Sequence, residues 1–255
     1  MGLAVVSVAS GGLPVVEVTT AGLAVTEAAG ARGIAVTKVV GKPGLGVTYV
    51  SESGAVVPPI TPVTWDSATS SNVTLSGGNL VATNTTGGSN ICGARVPGSF
   101  KSSGKYYFEA TITTFIGGSG NGVGIALASV NYGDMSIVAS GYNMVRFSNG
   151  TTYANGSLTG TGLGARSAGD VIGVAIDLDN RQSWFRVAPS GNWNGSGTAN
   201  PATNVGGIAI PAGAMCPFCN FGGSGSAANN VTTANFGASA FSGAVPSGFT
   251  AGWPV

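Results

Sequence analysis

The chain has 255 residues and almost no charge: 10 Lys and Arg, 9 Asp and Glu, no histidine, and 7% charged residues where soluble domains carry roughly a quarter. Its 44 glycines exceed the ordinary share, yet 43% of the residues are hydrophobic, which excludes a solvated disordered chain and collagen and points to a packed, turn-rich protein. A net charge of +1 without a basic cluster gives no footprint for nucleic acid, and the absence of histidine excludes histidine-dependent catalysis.

The N-terminus is repetitive. GLAVVSV opens at Gly2, GLPVVEV at Gly12, GLAVTEA at Gly22, GIAVTKV at Gly33, GLGVTYV at Gly44 and a degenerate GAVVPPI at Gly54, a period of ten or eleven residues. Each unit is a short run of Val- and Thr-rich β-formers behind a glycine suited to a turn, so the spacing predicts short strands joined by tight turns. One parity holds Leu13, Val15 and Glu17; the other holds small or β-branched residues such as Ala24, Thr26 and Ala28. Both faces are partly apolar, and with Tyr49 as the one aromatic the region builds little core alone. An oligomer follows, interleaved about a shared and most simply threefold axis; the competing reading is a flexible Gly-rich linker. The first basic residue is Arg32, so a secretory signal is not expected, and no long apolar run predicts a membrane span.

Pro58, Pro59 and Pro62 end the repeats, and nineteen of the twenty aromatics lie from Trp65 onward. The division expected is therefore 1–61, the oligomerising repeat region, and 62–255, a second domain. The whole chain reads as all-β. Strand-like runs fall near 72–75, 79–84, 90–95, 105–115, 122–129, 142–147, 170–178, 182–187, 207–210, 215–221 and 231–236, separated by Gly/Ser/Asn turns with no sustained helical period. In GKYYFEATI, Tyr106, Phe108, Ala110 and Ile112 share one wholly apolar face, and Tyr107, Glu109 and Thr111 share the other. Val171 to Leu178 reads as a buried strand, Asp179-Asn180 as a turn whose short side chains tolerate the left-handed conformation, and Ser183 to Val187 as the returning strand.

In order, VTLSGGNLVAT, SSGKYYFEATI, GNGVGIALAS, GDVIGVAIDLDNRQSWFRVAPSGNW, TANFGASAFSG and PSGF resemble a SPRY-type, concanavalin-like β-sandwich of the sort seen in phage structural and tail proteins. The resemblance covers about residues 65–253 and rests most on Gly104 to Glu109, Gly169 to Phe185 and Asn235-Phe236-Gly237. The Gly-Leu-x-Val repeats are likewise similar to sequences in bacteriophage virion proteins. The resemblance implies an antiparallel SPRY-like sandwich in a non-enzymatic virion structural protein without a cofactor, assembled in the bacterial cytoplasm and exposed on the particle. Head decoration, collar or neck appendage, and fibre or spike all fit. The partners implied are further copies of the chain, as a homotrimer, and other virion proteins. The alternative is a tail-fibre adhesin that recognises a host surface glycan.

Candidate chemistry is sparse. Cys216-Pro217-Phe218-Cys219 is a C-x-x-C without the following helix that redox chemistry uses, and three cysteines without histidine cannot close a zinc site. Packed thiols, or a disulfide from Cys92 to Cys216 or Cys219 or between subunits, remain open. Asp177 and Asp179 share a strand face but sit at a turn; with Asn180 they could offer oxygen ligands to Ca²⁺, although no metal is expected. Tyr132, Tyr153 and Trp193, read as standing in loops rich in Gly, Ser and Asn, are the candidate ligand-binding residues, the mix that stacks on sugars; otherwise these rings plug the ends of the sandwich.

Overall fold

A computed structural model describes residues 63–88, 91–96, 98–133 and 141–255, together with the backbone of 49–50 and 56–57. By contacts the chain divides into residues 1–60 and 61–255. The repeat units opening at Gly2, Gly12, Gly22 and Gly33 lie outside the described residues. Within the last two units, β1 (Tyr49–Val50) and β2 (Val56–Val57) pair antiparallel, Tyr49 opposite Val57.

The second unit consists of two antiparallel sheets face to face. Its strands are β3 (Val73–Ser76), β4 (Val81–Asn84), β5 (Gly93–Arg95), β6 (Lys105–Thr114), β7 (Gly122–Leu127), β8 (Tyr142–Arg146) and β9 (Thr151–Ala154). They continue with β10 (Ser157–Gly162), β11 (Val171–Asp177), β12 (Gln182–Val187), β13 (Ile208–Ala209), β14 (Met215–Asn220), β15 (Val231–Asn235) and β16 (Thr250–Ala251). One sheet runs β10-β9-β8-β7-β14-β5; the other runs β13-β12-β11-β6-β15-β4-β3. β16 pairs parallel with Tyr106 and Tyr107, on the stretch of β6 that β15 leaves free.

Alternation along the strands makes the core. Phe108, Ala110 and Ile112 of β6, Ile172, Val174 and Ile176 of β11 and Phe185 of β12 face Val123, Ile125, Val145, Met215 and Cys219 of the opposite sheet. Aromatic residues close the layer: the rings of Trp65 and Phe236 meet edge-on at 4.9 Å, and Phe108 lies 5.5 Å from Phe236. The indole N–H of Trp65 donates to the Leu80 carbonyl and that of Trp253 to the Ser99 carbonyl, so neither is buried without a partner. Val63 N–H donates to the Trp253 carbonyl at 3.4 Å, which places the start of the unit beside its end.

Both outer faces are covered as well. Over the seven-strand path of the second sheet lie the 3₁₀ turns Trp193–Gly195 and Pro201–Thr203 and the segment 238–249; Trp193, Ala199, Phe241, Val245 and Phe249 pack against Tyr107, Ala175 and Trp184. On the other sheet, Val130 and Tyr132 pack against Ala126, Tyr142, Met144, Tyr153 and Phe218. Glycines within the strands make room for this second layer. A Cβ at Gly122 would lie 2.1 Å from Met144 Cε, one at Gly93 2.2 Å from Tyr132 Cδ1, and one at Gly173 2.6 Å from the Tyr107 hydroxyl.

Each of the eleven runs predicted from the sequence overlaps a strand. Two local expectations are corrected. Tyr153 stands on β9, not in a loop, because Asn155 (φ 52°) and Gly156 (φ 77°) turn TTYA back on SLTGTG as a hairpin. In the β11–β12 turn the left-handed residue is Arg181 (φ 56°), while Asp177 holds the turn by accepting from the backbone N–H groups of Asp179 and Asn180.

Candidate functional site

Each of the three aromatics picked out in the sequence carries an arginine on its ring. The guanidinium carbon of Arg95 lies 4.7 Å from the Tyr132 ring centre, that of Arg146 4.9 Å from Tyr153, and that of Arg186 4.4 Å from Trp193. The arginines come from outward-facing positions of β5, β8 and β12 and are buried, as are Tyr132 and Tyr153; Trp193 is half-buried. Tyr132 and Tyr153 belong to the outer face of the β7–β8–β9 sheet and Trp193 to the outer face of the opposite one, so the three do not form one surface.

The Arg95 group is closed on itself. Its Nε donates to the Tyr132 hydroxyl, Nη1 to the Ala128 carbonyl at 2.6 Å and Nη2 to the Val130 carbonyl, which ties the segment after β7 onto the sheet. The Tyr132 hydroxyl in turn donates to the Thr69 carbonyl. Burial pushes the Tyr132 hydroxyl well above the ordinary tyrosine range, against the opposing effect of Arg95, so it remains a neutral donor.

On the other face a buried carboxylate organises the cover. Glu109, 2% exposed, accepts from the Tyr107 hydroxyl at 2.6 Å and from the backbone N–H groups of Ser242 and Gly243, both at 2.8 Å. Arg186 stands on the far side of Tyr107 and donates from Nη2 to the Ala244 carbonyl at 2.6 Å. Glu109 and Arg186 are both paired with Gly173, whose missing side chain leaves the space that the Tyr107 hydroxyl fills between them. Burial first, then the bond to Glu109, raise the Tyr107 hydroxyl far above its ordinary range. Asn194, in a left-handed conformation (φ 51°), accepts from Phe185 N–H and donates to the Gly206 carbonyl, which sets Trp193 over Arg186.

Of the two readings open for the cysteines, the structure shows packed thiols and not the disulfide: Cys92, Cys216 and Cys219 are all buried and none forms a disulfide. Cys216 and Cys219 lie on strand β14, where residues three apart point to opposite faces, so the C-x-x-C spacing cannot bring its sulfurs together. Their burial leaves no thiol on the surface to cross to another subunit, and it pushes both thiols up to about 12. Asp177 is likewise committed: it pairs with Lys105 Nζ at 2.9 Å and accepts from the Asn180 side chain at 2.8 Å. Burial alone would raise its carboxyl; the hydrogen bonds from Asn180 and Lys105 outweigh burial and hold it below the ordinary value. Asp179 accepts instead from Gly104 N–H, and no metal-ligating cluster occurs among the described residues.

A cleft of about 260 Å³, bounded by Gly162, Leu163, Val187, Gly191, Asn192 and Gly195, opens beside β12 and has no charged lining residue. The arginines were missed in the sequence reading, although an arginine within an otherwise apolar strand run, as in YNMVR and QSWFRV, is the signal that marks them.

No protein-family model and no curated protein sequence matches the chain. Among solved structures it is similar to the SPRY domain of human HERC1, at 16% identity and TM-score 0.51 over 67% of this chain and 96% of that one. It is also similar to the PSpry domain of TRIM65 (12% identity, 68% and 92% of the two chains, TM-score 0.48) and to stonustoxin (16%, 68% and 27%, TM-score 0.46). At such identities the likeness concerns the fold, and the second unit of this chain is a SPRY-like antiparallel β-sandwich.

Proposed function

We propose that this chain is a non-enzymatic structural protein of a bacteriophage virion, working as a homotrimer. In this reading residues 1–61 join the copies and attach them to the particle, and the SPRY-like sandwich projects outward. The observation that carries it is the internal commitment of the groups with chemistry to offer. The rings of Tyr132, Tyr153 and Trp193 stack on the chain's own arginines, Glu109 and Asp177 are held by several donors each, and the three thiols are buried. A domain whose polar groups are spent on closing its own faces supplies shape and durability. The two-faced apolar repeats supply the reason to associate.

The glycan-binding alternative needs an exposed aromatic surface, and Tyr132 and Tyr153 are separated from Trp193 by the sandwich itself. Gold-labelled antibodies against the full chain, applied to intact phage particles, test the assignment: regular labelling at one position on the particle is expected, and absence of the chain from purified particles contradicts it. Strong binding of the full chain to a glycan array, lost in Trp193→Ala, would favour the adhesin instead.

A further inference from the structure

Arg146, the last residue of β8, is a buried cation that the chain leaves half used. It is 9% exposed. Nη1 donates to the Tyr153 hydroxyl at 2.6 Å, and the guanidinium lies over the ring of the same tyrosine. Nε is buried without a partner. The ion pairs among the described residues are Lys105–Asp177 and Arg166–Asp170, so no carboxylate there answers this charge. Gly122, opposite Arg146 on β7, has no side chain to offer. Of the other two buried arginines, Arg95 donates from all three nitrogens; Arg186 also has an Nε without a partner, but its Nη2 donates to the Ala244 carbonyl and it stands beside Tyr107, whose hydroxyl bonds the Glu109 carboxylate.

The unused part of Arg146 has a definite shape. With Nη1 engaged, the remaining edge presents Nε–H and Nη2–H in parallel, the pair that meets two oxygens of a carboxylate or a phosphate. Tyr153 fixes the plane of the guanidinium and removes the competing edge. A buried guanidinium without a counter-charge is costly, and an anion on that edge relieves the cost. We propose that Arg146 is an oxyanion-binding residue, taking a carboxylate or phosphate group side-on, with Tyr153 as its positioning residue. The proposal goes beyond the structural role and is independent of it, since an anion site and a virion assignment stand or fall on different measurements.

The test is an NMR titration of the full-length chain, following arginine Nε–H resonances at constant ionic strength. Sodium phosphate is one arm, methyl glucuronide, a carboxylate-bearing sugar, another, and sodium chloride the control. One Nε–H resonance is expected to move saturably with phosphate or with the glucuronide but not with chloride, and the responding arm names the source of the oxyanion. Arg146→Lys keeps the charge but lacks the two-pronged edge, and it should weaken binding by about tenfold, the equivalent of one charge-assisted hydrogen bond. Tyr153→Phe, which keeps the ring and loses the hydroxyl, should weaken it less and guards against a poorly folded Lys variant. No saturable shift in either arm, or an unchanged response in Arg146→Lys, overturns the proposal.

Discussion

At the scale of single residues, the molecule is governed by large side chains lying flat on glycines. Gly173 is the clearest case, because the Tyr107 hydroxyl that bonds Glu109 occupies the place of its side chain. Gly173→Ala should therefore destabilise the fold by about 3 kcal/mol, through overpacking and a loosened bond to a buried carboxylate, as measured by urea unfolding. The thiols give a second prediction. With Cys216 and Cys219 raised to about 12, the thiolate is scarce at pH 8, and all three cysteines should resist Ellman's reagent in the native protein and react together in urea. Rapid native labelling would contradict their placement. Asp177 gives a pH dependence. Its folded-state pKa is depressed below 3.8, so its contribution is complete above that value and is lost as the pH falls through the lower folded-state pKa. Unfolding free energy should decline over that acid range, and Asp177→Asn should be less stable at neutral pH and show a flatter acid limb.

At the scale of elements, most of the sandwich is legible in the sequence because a strand with one apolar face announces itself by alternation. β6 shows it: Tyr106, Phe108, Ala110 and Ile112 form one apolar face in the sequence, and Phe108, Ala110 and Ile112 are buried in the core with Tyr106 packed against it. The β9–β10 hairpin escaped because TTYA and SLTGTG are Thr- and Gly-rich and SLTGTG buries little, although Asn155-Gly156 between them is the strongest local hairpin signal. Gly156, at φ 77°, should cost about 1–2 kcal/mol when replaced by alanine, read from the shift in urea midpoint. A neutral substitution would mean that this turn has a different conformation. The arginine–aromatic groups were legible only in part. The sequence marks the rings, but a residue on the outer parity of a strand reads as solvent-facing, and only distant segments such as 238–249 returning over the sheet make Glu109 and Arg186 internal. Local periodicity carries no record of that return.

At the scale of the whole molecule, the composition and the fold lead to the same account. A chain with 19 charged side chains spends several of the best of them inside, on Glu109, Asp177, Arg95 and Arg186, and keeps a surface poor in charge. In the proposed function the N-terminal repeats, whose sequence is apolar at both parities, are covered by other copies of the chain. Native mass spectrometry of the full-length chain at micromolar concentration tests that claim most directly: the account predicts an assembly of three times the 24.8 kDa chain mass, and a stable, folded monomer under the same conditions would contradict it.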